Sequence, residues 1–247
     1  MVGTIDRQSN DTFSNSTLNG DWVFYATNVG TYPGATLGRF SSDGTGANAP
    51  GCHDWTGGSS FISPMCSSLD FNTYTIDSTG RGFAPSAQFG QPFPVVFYFL
   101  DANHGYIGTQ FKLGEFFRRE GAPFTNASLN GDYTVVFTGS QDYFWNAKAH
   151  NQVGTATLDG MGSINMMTSW VDGRNYDLKQ GYSRTGTYAF DMGLYGPGEG
   201  RGVMSLGEDF QLLYHAVSLD KVLMIQIDYD DVSFGILQRA PSSTPPR

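Results

Sequence analysis

The chain has 247 residues, of which 39% are hydrophobic, 15% aromatic and only 15% charged, with 32 glycines. That profile belongs to short strands and tight turns and speaks against long surface helices. A formal charge of −9 with 14 Lys plus Arg leaves no basic stripe for a phosphate backbone or an anionic lipid surface, and no apolar run reaches the roughly 20 residues of a spanning helix, so neither nucleic acid nor a membrane span is expected.

In chain order, residues 1–16 read as an extended N-terminal arm, a Met placed before a mature N-terminus with no signal-peptide pattern. "TLNGDWVFYAT" (17–27) then opens a first strand, and "SLNGDYTVVFTG" (128–139) repeats it. Three further phrases recur in the same order. "GRFSSDGTG" (38–46) returns as "GTATLDGMG" (154–162), "TYTIDSTGRG" (73–82) as "TYAFDMGLYGPGEGRG" (187–202), and "FYFLDANHGYIGTQF" (97–111) as "LYHAVSLDKVLMIQI" (213–227). Each half closes on Ala-Pro, at Ala122-Pro123 and Ala240-Pro241. Self-similarity of this order reads as a tandem duplication: repeat 1 over 17–121, repeat 2 over 122–239 and a Pro-rich tail over 240–247.

Asp-Gly-x-Gly between strand-like segments is a hairpin signal, because glycine supplies positive φ and the aspartate bonds the turn backbone. Strands that alternate, or run almost wholly apolar, fit an enclosed interior. The expected fold is all-β, two antiparallel barrel-like repeats of lipocalin or avidin type, with a sandwich as the alternative. A barrel is preferred because closure removes exposed apolar edges. The pattern LNGDY, DGxG, GRG resembles a repeat of secreted β-rich proteins from environmental bacteria, the acidobacterial type above all. That resemblance implies fold and secretion, and it assigns no catalytic residue.

Cys52 and Cys66 bound a Gly/Ser/Pro-rich segment, "GCHDWTGGSSFISPMCSS" (51–68). A local disulfide is the expected use, which places the protein outside the cytoplasm, extracellular or periplasmic. No nucleophile elbow, phosphate cradle or His-built metal pattern occurs, so no cofactor and no metal are expected. Asp21/Asp132 and Arg81/Arg201 repeat and read as turn and rim residues. His53 and Asp54 form the one sequential His-Asp pair, and "DYDD" (228–231) reads as a solvated strand end. Asn15 and Asn126 fall in sequons at equivalent positions, where a turn role accounts for both.

Function is sought where the halves disagree: His53, Asp54 and Trp55 in the first, Tyr143, Phe144, Trp145, Trp170 and Arg174 in the second. Trp and Tyr beside polar side chains suit stacking on sugar rings or anchoring a partner. The expectation is therefore a secreted, non-catalytic binding or assembly protein for a glycan, a small apolar ligand or neighbouring subunits, self-associating through its terminal arms. The rival is an enzyme, a cyclase, an isomerase or a glycan-active one, using a hollow lumen of several hundred Å³.

Overall fold

The computed structural model describes residues 6–28, 34–47, 49–57, 67–88, 92–141, 148–172, 177–190, 198–207, 210–227 and 231–241. Apart from single 3-10 turns at Asn15–Leu18 and Asn126–Ser128, every regular element among them is a β-strand. Two compact units divide between Arg119 and Glu120.

In the first unit, β1 (Gly20–Asn28), β2 (Ala35–Ser42), β3 (Ala49–Thr56), β4 (Ser67–Phe71), β5 (Thr75–Ile76), β6 (Arg81–Gln88), β7 (Pro92–Asp101), β8 (His104–Gly108) and β9 (Lys112–Arg118) make one antiparallel sheet. Its order is β4-β3-β2-β1-β9-β8-β7-β6-β5, and it curls until β4 meets β6 at Phe71 and Ala87. The second unit comprises β10 (Asn130–Gln141), β11 (Lys148–Asp159), β12 (Ser163–Asp172), β13 (Asp177–Phe190), β14 (Arg201–Ser205), β15 (Gln211–Ala216), β16 (Lys221–Gln226) and β17 (Asp231–Arg239). These close into an eight-stranded barrel as β17 returns to β10. The architecture is all-β and barrel-like, as the sequence leads one to expect.

The first interior is largely aromatic. Trp22, Phe24, Phe40, Phe99 and Phe116 are buried, and Phe99 meets Phe116 edge-on with centroids 5.0 Å apart, the arrangement that ring quadrupoles favour. The void enclosed by Leu18, Phe40, Phe71, Tyr74, Phe97, Ile107 and Phe116 is about 10 Å³, the room of one water at most. That part of the interior is a packed core and offers no reaction chamber. The described start of the N-terminal arm lies on this unit: the Ser9 amide donates to the Leu100 carbonyl (2.7 Å), and Phe13 is buried and stacks on Phe99 at 5.7 Å.

Both units use the same devices. Gly44 and Gly160, in the Asp-Gly turns, have φ of 76° and 75°, and Asp159 accepts from the amides of Met161, Gly162 and Ser163 at 2.7 to 2.9 Å. Asn15 accepts from the Ile76 amide at 2.7 Å and Asn126 from the Phe190 amide at 3.4 Å, so each side chain ties its 3-10 turn to a distant segment, 61 and 64 residues on, and does not bond its own turn. The Gly-Arg-Gly phrases resolve into two separate demands. Gly80 and Gly200 have φ of 81° and 80°, whereas at Gly82 and Gly202 a Cβ would strike the rings of Phe97 and Tyr214 on the neighbouring strand.

Three sequence readings need correction. Asp21 and Asp132 do not hold turn amides; Asp21 accepts from the Ser41 hydroxyl on β2 and pairs with Arg119 at 2.8 Å, and Asp132 accepts from Thr157 on β11 at 2.7 Å. The common arginine is also a different one. Arg118 donates to the carbonyls of Asn19 and Thr17 and lies 4.7 Å from the Trp22 ring centroid; Arg239 donates to the Asn130 carbonyl (2.6 Å) and lies 5.0 Å from that of Tyr133. By contrast Arg81 is exposed and Arg201 is 2% exposed. Finally, the Phe99 amide bonds Gly80 as the Ala216 amide bonds Gly200, which pairs Phe97 with Tyr214, one residue off the alignment read from the sequence.

Candidate functional site

Directly opposed residues of an antiparallel ladder share a face. In the second unit Gly139 opposes both His150 and Ser233, Phe137 opposes Gln152, and Gln152 opposes Trp170, so all six lie on the inner surface. Thr168, opposite Gly154 and Tyr182, and Arg184, opposite Met166, join them. Further along the same strands the inner positions turn apolar, with Tyr133, Leu158, Ile164, Tyr188 and Met224 in one buried cluster. The barrel is thus plugged at one end and polar at the other.

The polar end is closely connected. Gln152 Nε2 and His150 Nε2 are 3.0 Å apart, and Arg184 Nη1 donates to Thr168 Oγ1 at 3.1 Å. The Arg184 guanidinium lies 4.4 Å from the Phe210 ring, 4.5 Å from Tyr182 and 5.3 Å from Trp170, and Trp170 meets Tyr182 edge-on at 5.2 Å. Stacking of this kind holds a guanidinium in place without consuming its hydrogen-bond directions. Gln152 and Ser233 are each 1% exposed, yet Gln152 Oε1 and Ser233 Oγ have no hydrogen-bond partner among the described residues. Buried polar atoms are normally satisfied, and these two orphans are close in the ladder: Ser233 directly opposes Gly139, and Gln152 opposes Phe137 two residues before it. Tyr182, whose ring meets Trp170, is 52% exposed.

Of the residues named from sequence, Trp170 belongs to this end. Tyr143, Phe144, Trp145 and Arg174 lie outside the described residues; the strand ends that flank them, Gln141, Lys148, Asp172 and Asp177, are at the polar end. His150, Gln152, Thr168, Arg184 and Ser233 were missed. Their signal was polar residues at alternating positions of a strand otherwise inward and apolar, as in His150, Gln152, Ala156 and Leu158.

In the first unit Trp55 opposes Thr36 and His53 opposes Gly38, both on the inner face, whereas Asp54 opposes Leu37 on the outer face. One step along a strand reverses the side chain, so the sequential His-Asp pair is no pair in space. Trp55 and Trp170 occupy the same slot: Trp55 opposes Thr36, itself opposite Ala26 on β1, as Trp170 opposes Gln152, itself opposite Phe137 on β10. The two tryptophans read from sequence as divergent are therefore in common. Cys52 is buried, and Cys66 lies outside the described residues. Among the described residues no three His, Cys, Asp or Glu side chains could hold a metal, and no helix is long and apolar enough to cross a membrane.

No family model and no curated protein matches the chain. Among solved structures it is similar to a protein of unknown function from the DUF3598 family of Nostoc punctiforme, at 11% identity and TM-score 0.29, over 91% of this chain and 97% of that one. It is also similar to kievitone hydratase from Nectria haematococca, at 8% identity and TM-score 0.26, over 96% and 97%.

Proposed function

We propose that the chain is a secreted binding protein of duplicated barrel-like units, whose second barrel takes a small hydroxylated ring, a sugar unit, at its polar end. The observation that carries this reading is the orphaned Gln152 Oε1 beside Trp170 and Tyr182. A sugar hydroxyl supplies the donor that this acceptor lacks, its other oxygens accept from the Ser233 hydroxyl, and its apolar face stacks on an indole. Secretion is supported by the expected Cys52–Cys66 disulfide, which a non-reducing peptide map would show as one linked peptide two hydrogens lighter than its parts; two free thiols would remove that support.

The test is titration with mono- and oligosaccharides, read by tryptophan fluorescence and calorimetry, with simple phenols as a second arm. Saturable sugar binding is expected. Gln152→Leu should weaken it about tenfold or more, because the hydroxyl then loses its partner. The same variant should move thermal stability only slightly, since it removes an unsatisfied buried carbonyl but also the Nε2 contact to His150. Saturation by phenols alone would replace the sugar; no saturable binding in either arm would overturn the reading.

A further inference from the structure

We propose that the corresponding end of the first unit captures carbonyl compounds: the ε-amine of Lys112 attacks a small aldehyde or ketone whose apolar body rests on Trp55, and holds it as an imine. Lys112 opposes Asn28 at the start of β9; two residues on, Gly114 opposes Ala26, which opposes Thr36, which opposes Trp55. These alternate positions set Lys112, Asn28, Thr36 and Trp55 on one inner face, with His53 two residues before Trp55 on the same strand. The Lys112 ammonium donates to Thr36 Oγ1, and Thr36 is fully buried while Trp55 is 37% exposed. The end thus joins an amine, a hydroxyl and an accessible ring.

Burial lowers the Lys112 pKa to about 8, because water no longer solvates the charged form. Among the described residues facing it from β1, β2 and β3, His53 is the titratable group; Glu115 and Asp54, opposite Tyr25 and Leu37, point to the outer face. A desolvated lysine is the form in which this side chain acts as a nucleophile. The Nζ lone pair forms a bond to the carbonyl carbon as the carbonyl π pair moves to oxygen, which takes up a proton. The carbinolamine then expels that oxygen as water while nitrogen loses its remaining proton, so amine plus carbonyl gives imine plus water with no change of oxidation state. Thr36 Oγ1, already bonded to Nζ, is placed to pass these protons.

The chain has four lysines, Lys112, Lys148, Lys179 and Lys221, which makes the test an internal comparison. The intact protein is treated at pH 8 with benzaldehyde and cyanoborohydride, and the reduced adducts are mapped by peptide mass spectrometry. At that pH about half of Lys112 is free amine, against under about 1% of an ordinary lysine. Labelling of Lys112 should therefore outrun that of the exposed Lys179 by about tenfold or more, even after its weaker intrinsic nucleophilicity is allowed for. Trp55→Ala should slow the benzaldehyde reaction at Lys112 and leave the formaldehyde reaction at its original rate. Lys112 labelled no faster than Lys179, or a benzaldehyde rate indifferent to Trp55, would overturn the proposal.

Discussion

Gly82 and Gly202 are glycines because the rings of Phe97 and Tyr214 lie where their side chains would begin. The ring covers an otherwise bare stretch of strand, and its burial is gained only if no methyl group stands beneath it. Gly202→Ala should destabilise the protein by roughly 1–3 kcal/mol, the usual cost of overpacking a fitted core, seen as a lower urea midpoint at unchanged slope. An unchanged midpoint would show that both the Tyr214 ring and the Ala189 carbonyl, which a Cβ would also strike, can give way. The Gly-Arg-Gly phrase was visible in the sequence, but its reason was not, since the ring comes from another strand. For the same cause the Arg118 and Arg239 contacts went unseen: their partners are backbone carbonyls about 100 residues earlier in the chain, and the Ala-Pro pairs suggested a different alignment of the two ends.

At the level of strands and turns, legibility followed burial. β10 buries Tyr133, Val135 and Phe137 and exposes the residues between, so its inner face could be read by alternation. β3 could not be read this way. His53 and Asp54 are both buried although they point to opposite faces, and a strand covered on both sides loses its period of two. The Asp-Gly turns were legible because their chemistry is local. That between β11 and β12 offers a pH test: three backbone N–H groups, from Ser163, Met161 and Gly162, hold the Asp159 carboxylate below its ordinary pKa. A folded pKa below the unfolded one gives stability that is complete above the unfolded value and is lost as pH falls through the folded one. Between about pH 5 and pH 2 the urea midpoint of the native chain should therefore fall more steeply than that of Asp159→Asn; parallel curves would show that the turn does not feel the charge.

Across the whole molecule, the residues shared by the two units build the barrels, and the end that holds Trp55 in one holds Trp170 in the other. What surrounds that tryptophan sets each end apart. Ladder positions equate Thr36 with Gln152, His53 with Thr168 and Lys112 with Ser233, so a hydroxyl, an imidazole and an amine in the first unit stand where an amide and two hydroxyls stand in the second. The sequence hid this equivalence because loops and hairpins of unequal length shift the offset between halves, and only strand pairing restores it. If the second barrel alone has the acceptor a sugar needs, the two tryptophans should report unequally. Trp170→Phe should remove most of the sugar-induced change in emission and weaken binding, whereas Trp55→Phe should leave both the change and the affinity within about twofold, a difference under ~0.5 kcal/mol. Equal loss in the two variants would mean that both ends take the same ligand, and that the exchange of Gln152 for Thr36 does not decide what binds.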